Sequence, residues 1–288
     1  MSEVTTLPMK SSYPRTAAAL ILSAALGASF GLTTDVRAEQ ASAPAAPPDV
    51  AAPPSDAIKS ASGLASKVLR PGTGADKPAA TDVATVHYTG WSASDGALYD
   101  STVSRGKPAM FPIDRTALPG WGECVQLMVV GEQRRCWLPE KLAFNGAPKR
   151  PKGMMVFDIE LLDLHSSPMV PPPDVKEPPA DAQKTSSGLS YKVLRPGTGS
   201  RSPRTSDRVQ VHYTGWTTNG KMFDSSIPRG EPIKFGLDDV IPGWREGLTL
   251  MVEGERARFW IPQELAYKGQ QGAPRGMLVF EVELLRIE

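Results

Sequence analysis

Few residues in this chain of 288 could do covalent or metal chemistry: three histidines, two cysteines and one adjacent pair of acids. His87 and His212 recur in matching pentapeptides, His-Tyr-Thr-Gly-Trp, 125 positions apart. Each stands alone on its segment, with no second ligand at metal spacing, so the recurrence reflects a repeated segment and not a metal centre. Cys124 and Cys136 lack the C-x-x-C spacing of a zinc or redox site. Two readings of the pair stay open, a disulfide suited to an oxidising compartment or two buried free thiols, and the second is preferred. Asp238-Asp239 reads as a solvated loop. Lys149-Arg150-Pro151-Lys152 reads as a solvated basic loop, with a grip on acidic clients as the functional alternative.

The elements that hold these residues follow from composition and repetition. Lysine plus arginine total 32 and aspartate plus glutamate 31, a net charge of +1, which argues against a nucleic-acid binder. Lys10 and Arg15 precede an apolar run, 16–32, and Val36-Arg37-Ala38 follows as a small-x-small pattern. Residues 1–38 therefore read as an export signal, and the mature protein is expected in the periplasm or outside the cell. If the signal stayed uncleaved it would be the only membrane anchor. Residues 39–57 and 166–183 hold eleven of the 28 prolines and few large apolar side chains. They are expected to be extended, semi-rigid linkers.

Residues 58–165 and 184–288 repeat each other: SGLASKVLRPGTG at 62–74 matches SGLSYKVLRPGTG at 187–199. Within each copy, alternating apolar runs at 83–88, 155–162, 209–213 and 278–285, and runs at 131–138 and 254–261, predict strands. A short helix is expected over 121–128 and 244–251, with Pro119 and Pro242 placed where a missing N–H does little harm. The fold class is α+β: two domains, each an antiparallel sheet with one short helix.

The ordered runs VQVHYTGWTTNGKMFDSS, VIPGWREGL, LAYKG and GMLVFEVELL resemble the FK506-binding-protein (FKBP) family of peptidyl-prolyl cis–trans isomerases. The resemblance implies a curved sheet wrapped around the helix and an apolar cavity floored by the helix tryptophan. It implies Tyr213, Phe223, Asp224, Ile241, Trp244, Tyr267 and Phe280 as catalytic residues, and Arg229, Ile233, Phe235 and Val240 as substrate-binding ones. Ile233 stands where the family usually has an aromatic residue, and the loop between Tyr267 and Phe280 is short. The implied partners are proline-containing polypeptides and an FK506-like macrolide inhibitor; no cofactor and no metal is implied.

In the first copy the equivalents are Tyr88, Tyr99, Asp100, Leu118, Trp121, Phe144 and Phe157, with Arg105 and Phe111 retained. Tyr99 replaces the wall phenylalanine, Ala109 and Ala117 replace larger residues, and Phe144 lacks the expected hydroxyl. The first domain is therefore expected to be the weaker isomerase or a peptide-binding module. The functional expectation is an isomerase that assists folding of exported proteins, mainly through its second domain. The alternative is a non-catalytic chaperone or adaptor that uses both pockets. Trp91, Trp137, Trp216 and Trp260 are read as packing or surface residues.

Overall fold

The structure is a computed structural model that describes residues 44–288. The export signal expected over 1–38 lies outside the described residues. No helix among the described residues is long and apolar enough to cross a membrane. In chain order the strands are β1 (Ile58–Lys59), β2 (Ala65–Arg70), β3 (Val83–Ser92), β4 (Leu98–Ser101), β5 (Ala109–Pro112), β6 (Gln133–Leu138) and β7 (Met155–His165) in the first domain. The second domain has β8 (Gln183–Lys184), β9 (Ser190–Arg195), β10 (Arg208–Thr217), β11 (Met222–Ser225), β12 (Ile233–Gly236), β13 (Arg256–Ile261) and β14 (Leu278–Ile287). The helices are α1 (Pro119–Gln126) and α2 (Pro242–Thr249).

Each domain is one antiparallel sheet curved around its helix. The first sheet runs β1-β2-β6-β7-β3-β4, with β5 also on β3; the second runs β11-β10-β14-β13-β9-β8, with β12 on β10. The alternation that predicted β3 puts Ala84, Val86 and Tyr88 into the core with Trp121, Val125 and Phe157. The corresponding second core holds Val209, Val211 and Tyr213 with Trp244, Leu248 and Phe280. Prolines at the first turn start both helices, as expected. Strands β1, β2, β8 and β9 are additional to the expected ones, and so are β4, β5, β11 and β12. The last four are four-residue segments, too short for alternation to mark them.

Two expectations are corrected. Cys124 and Cys136 form a disulfide that ties α1 to β6, not a pair of free thiols. Over their described residues, 44–57 and 166–183, the proline-rich stretches are not extended spacers, because both are straps bound to the outer face of a sheet. Trp91 donates its indole N–H to the Pro44 carbonyl at 3.2 Å, and Trp137 to the Asp49 carbonyl at 2.9 Å. Trp216 donates to Pro168 at 3.0 Å, and Trp260 to Asp174 at 2.9 Å. Arg135 pairs with Asp49 and Asp158; Arg258 pairs with Asp174 at 2.6 Å and Glu281 at 2.8 Å. Val175 is buried between Trp216, Trp260 and Val279. A polar segment poor in large apolar groups needs little core of its own when the sheet supplies two tryptophans and an arginine. The four tryptophans read as packing residues are the anchors of these straps.

The domains also meet through polar side chains. Arg256 of β13 donates to Asp163 at 3.1 Å, to Glu283 at 2.9 Å and to the Leu164 carbonyl at 2.8 Å. Arg195 donates to Asp163 at 2.6 Å and also pairs with Glu283. His165, at the end of β7, packs its ring 5.5 Å from that of His212. The C-terminal end of the first domain thus seats on the outer face of the second sheet.

Candidate functional site

In the second domain the site residues converge on one aromatic basin. Trp244 lies on the first turn of α2 and is fully buried. Around it stand Tyr213 at 5.2 Å between ring centres, Phe235 at 5.4 Å and Phe280 at 5.3 Å, with Tyr213 and Phe280 near-perpendicular to the indole. Phe223 stacks edge-on against Phe280 at 5.4 Å. Ile233 and Tyr267 are half-buried against the same cluster, and Val240 and Ile241 are buried at the entrance to α2. Edge-to-face packing fixes ring orientations as well as burying area.

The polar groups lie on one side of the basin. Tyr213 donates its hydroxyl to Asp224. Arg229 donates to Asp224 at 3.0 Å and to the Tyr213 oxygen at 3.1 Å, and the Ser225 N–H donates to Asp224 at 2.8 Å. Burial, then the neighbouring Asp224 carboxylate, pushes the Tyr213 phenol well above its ordinary range, so it stays a donor. Burial, then Asp224, also raises Tyr267. The Tyr267 hydroxyl and the Ile241 N–H have no hydrogen-bond partner among the described residues. Two donors are therefore free beside an apolar basin.

The first domain repeats the arrangement with altered parts. Trp121 is 4.8 Å from Tyr88, 4.9 Å from Phe111 and 5.5 Å from Phe157. Asp100 accepts from Tyr88 and pairs with Arg105. Burial, then Asp100, pushes the Tyr88 phenol up to about 12. Trp121 is 7% exposed where Trp244 is 0% exposed, so the smaller Ala109 and Ala117 go with a more open floor. The hydroxyl missing from Phe144 stands on the facing ring: Tyr99 and Phe144 lie 5.1 Å apart. Leu118 takes the position of Ile241 at the entrance to α1.

Among the described residues, the other chemistry-bearing side chains do not form a second centre. His87 shares a hydrogen with Thr102 at 3.1 Å, and His212 with Ser226 at 2.9 Å. Ligand atoms of Asp163, His165 and Glu283 lie within 4.8 Å of one another, a spacing a metal ion could use. Arg195 and Arg256 already hold both carboxylates, and a dication would sit against two guanidiniums.

Residues 74–162 and 199–285 match the family model described as FKBP-type peptidyl-prolyl cis-trans isomerase. The FKBP-type peptidyl-prolyl cis-trans isomerase FkpA of Aeromonas hydrophila is 51% identical over 110 residues, 37% of this chain and 40% of that protein. The FKBP-type 22 kDa peptidyl-prolyl cis-trans isomerase of Escherichia coli K12 is 54% identical over 108 residues, 36% of this chain and 52% of its own length. The macrophage infectivity potentiator of Trypanosoma cruzi is 45% identical over 112 residues, 38% of this chain and 57% of its length. The matched stretch thus spans only about half of each relative.

Proposed function

The chain belongs to the FKBP-type peptidyl-prolyl cis-trans isomerase family, and on that premise we propose that it catalyses prolyl isomerisation in exported polypeptides, mainly through its second domain. The carrying observation is a fully buried Trp244 ringed by Tyr213, Phe235 and Phe280, with two unpaired donors beside it. Rotation about a peptide bond must cross about 18–20 kcal/mol, because twisting removes amide resonance. A planar amide carries more charge separation than a twisted one. A dry aromatic basin therefore disfavours the planar form relative to the twisted one, which lowers the barrier selectively.

In this reading the prolyl ring rests on Trp244, walled by Phe223, Ile233, Phe235, Val240 and Phe280. The Ile241 N–H receives a substrate carbonyl and the Tyr267 hydroxyl a second one. Asp224, held by Tyr213 and Arg229, keeps the polar wall in place. A thousandfold acceleration needs about 4 kcal/mol, which a few such contacts can supply. An FK506-like macrolide would occupy the same basin. The first domain, with Phe144 in place of Tyr267, is the weaker isomerase or a peptide-binding module. The Cys124–Cys136 disulfide supports export to an oxidising compartment, the periplasm of a bacterium.

The test is isomerisation of an X-Pro peptide by the full chain. Tyr267→Phe keeps the ring and removes one donor, so kcat/KM is expected to fall about three- to tenfold. Unchanged turnover in that variant would remove Tyr267 from the mechanism, and no turnover by the parent chain, with peptide binding retained, would leave the non-catalytic chaperone reading in its place.

A further inference from the structure

The loop over each pocket has one backbone and two chemistries. Asn145 and Lys268 are both left-handed, at φ 47° and 52°, as are Gly146 and Gly269 at 73° and 77°, and Gly153 and Gly276 at 80° and 78°. The Ala147 N–H bonds the Phe144 carbonyl and the Gln270 N–H the Tyr267 carbonyl, each at 2.9 Å. The Arg150 N–H bonds Ala147 and the Ala273 N–H bonds Gln270, each at 3.3 Å. Arg150 and Ala273 therefore occupy the same place on the two rims.

In the first domain that place is built. Arg150 donates to the Tyr99 hydroxyl at 3.0 Å, and its guanidinium carbon sits 5.7 Å from the centre of the Phe144 ring. The second domain has Phe223 where Tyr99 stands, and a phenylalanine could not accept that bond. Tyr99 and Arg150 are thus a matched pair, as Phe223 and Ala273 are. Arg150 is exposed and has no carboxylate partner among the described residues. Lys149 beside it holds φ 62° where the second domain uses Gly272, a left-handed residue with a side chain that costs roughly 1–2 kcal/mol. Lys152 is exposed two residues on, where the second domain has the exposed Arg275, so the difference between the rims lies at Lys149 and Arg150.

We propose that the first pocket selects prolyl peptides with an aspartate or glutamate flanking the proline, and that Arg150 is the residue that selects them. The proposal rests on the reading that both pockets bind prolyl peptides. A guanidinium stacked on one ring and bonded to another is held ready, so less side-chain freedom is lost on binding. Its planar fork matches a carboxylate, and its remaining N–H groups are free to donate. The second pocket has Ala273 in that place; it keeps the exposed Lys268 and Arg275 on its loop but no guanidinium held against its wall rings, so its preference is expected to be the smaller.

The indole N–H signals of Trp121 and Trp244 report the two pockets separately in the full-length chain. Each is titrated with tetrapeptides that carry Glu, Gln or Lys on one side or the other of a central proline. At Trp121, a Glu peptide is expected to bind about threefold more tightly than its Gln match, the size of an exposed charge pair. That ratio should fall toward one in 1 M salt and in Arg150→Ala, while Trp244 titrates unchanged. Ala273→Arg with Phe223→Tyr should raise the Glu-to-Gln ratio at Trp244 to that of Trp121. Equal Glu and Gln titrations at Trp121, or a ratio that survives Arg150→Ala, overturns the proposal alone. A Trp121 signal that no peptide moves overturns it together with the peptide-binding reading beneath it.

Discussion

At Gly215 an added methyl group would lie 2.7 Å from both the Phe223 and the Phe280 rings. The glycine of the Tyr-Thr-Gly run thus lets two wall rings lie against the strand backbone. Gly90 does the same for Phe157. Gly215→Ala should displace the rings, cost about 1–3 kcal/mol of stability and lower kcat/KM for an X-Pro peptide more than tenfold. Chemical denaturation and the isomerisation assay on one preparation would separate the two effects. The aromatic set was legible in the sequence only because four runs stood in order, since Trp244 or Phe280 alone reads as ordinary core. What stayed hidden was pairing between distant positions. Tyr99 and Phe144 looked like separate losses, yet they face one another, and the hydroxyl absent from one ring is present on the other.

Among the elements, β3, β6, β7, β10, β13 and β14 were legible from their apolar runs, and the two helices from their proline starts. The straps were not, because their low apolar content reads as linker when each stretch is judged alone. The signal lay in the comparison of copies. Pro-Pro-Asp-Val-x-x-Pro-Pro-x-Asp-Ala occurs at 47–57 and again at 172–182. In both, Val50 and Val175 close a turn on Pro47 and Pro172 at 3.0 Å. Asp174→Ala removes the half-buried pair with Arg258 and should lower stability by about 2 kcal/mol, with faster amide exchange confined to the strap and β13. The Cys124–Cys136 bond closes a short loop within the first domain, which places its worth near 3 kcal/mol. Reduction should lower the melting temperature of the first domain's transition and leave the second unchanged. A mass gain of two hydrogen atoms on reduction of the denatured chain checks the bond itself.

The whole molecule is joined by a cluster in which His165 and His212 face Asp163, Glu281, Glu283, Arg195, Arg229 and Arg256. Burial, then Arg256, pushes the His165 ring down to about 3. Burial also lowers His212, to about 4, against the pull of Asp163. Once exposed, both rings take up protons near pH 6.5, whereas in the folded molecule they refuse them until pH 4 and below. The unfolded chain then binds more protons than the folded one between those limits, so stability rises with pH across that window and is lost on acidification. Melting at pH 5 should come earlier than at pH 7.5, and His165→Gln should flatten the difference. A pH-independent transition in the parent chain would remove the histidines from this role.

The straps change where this chain can be cut. A truncation that starts at 184 would free a domain whose Trp216 and Trp260 have lost the carbonyls of Pro168 and Asp174. It would bare an apolar patch around Val279 and leave Arg258 without Asp174. Such a fragment invites self-association, and an activity lost in it would be misread as dependence on the first domain. A cut just before Pro168 keeps the cover in place. Proteases should make the same distinction, sparing 172–182 and nicking the exposed Met169-Val170 first.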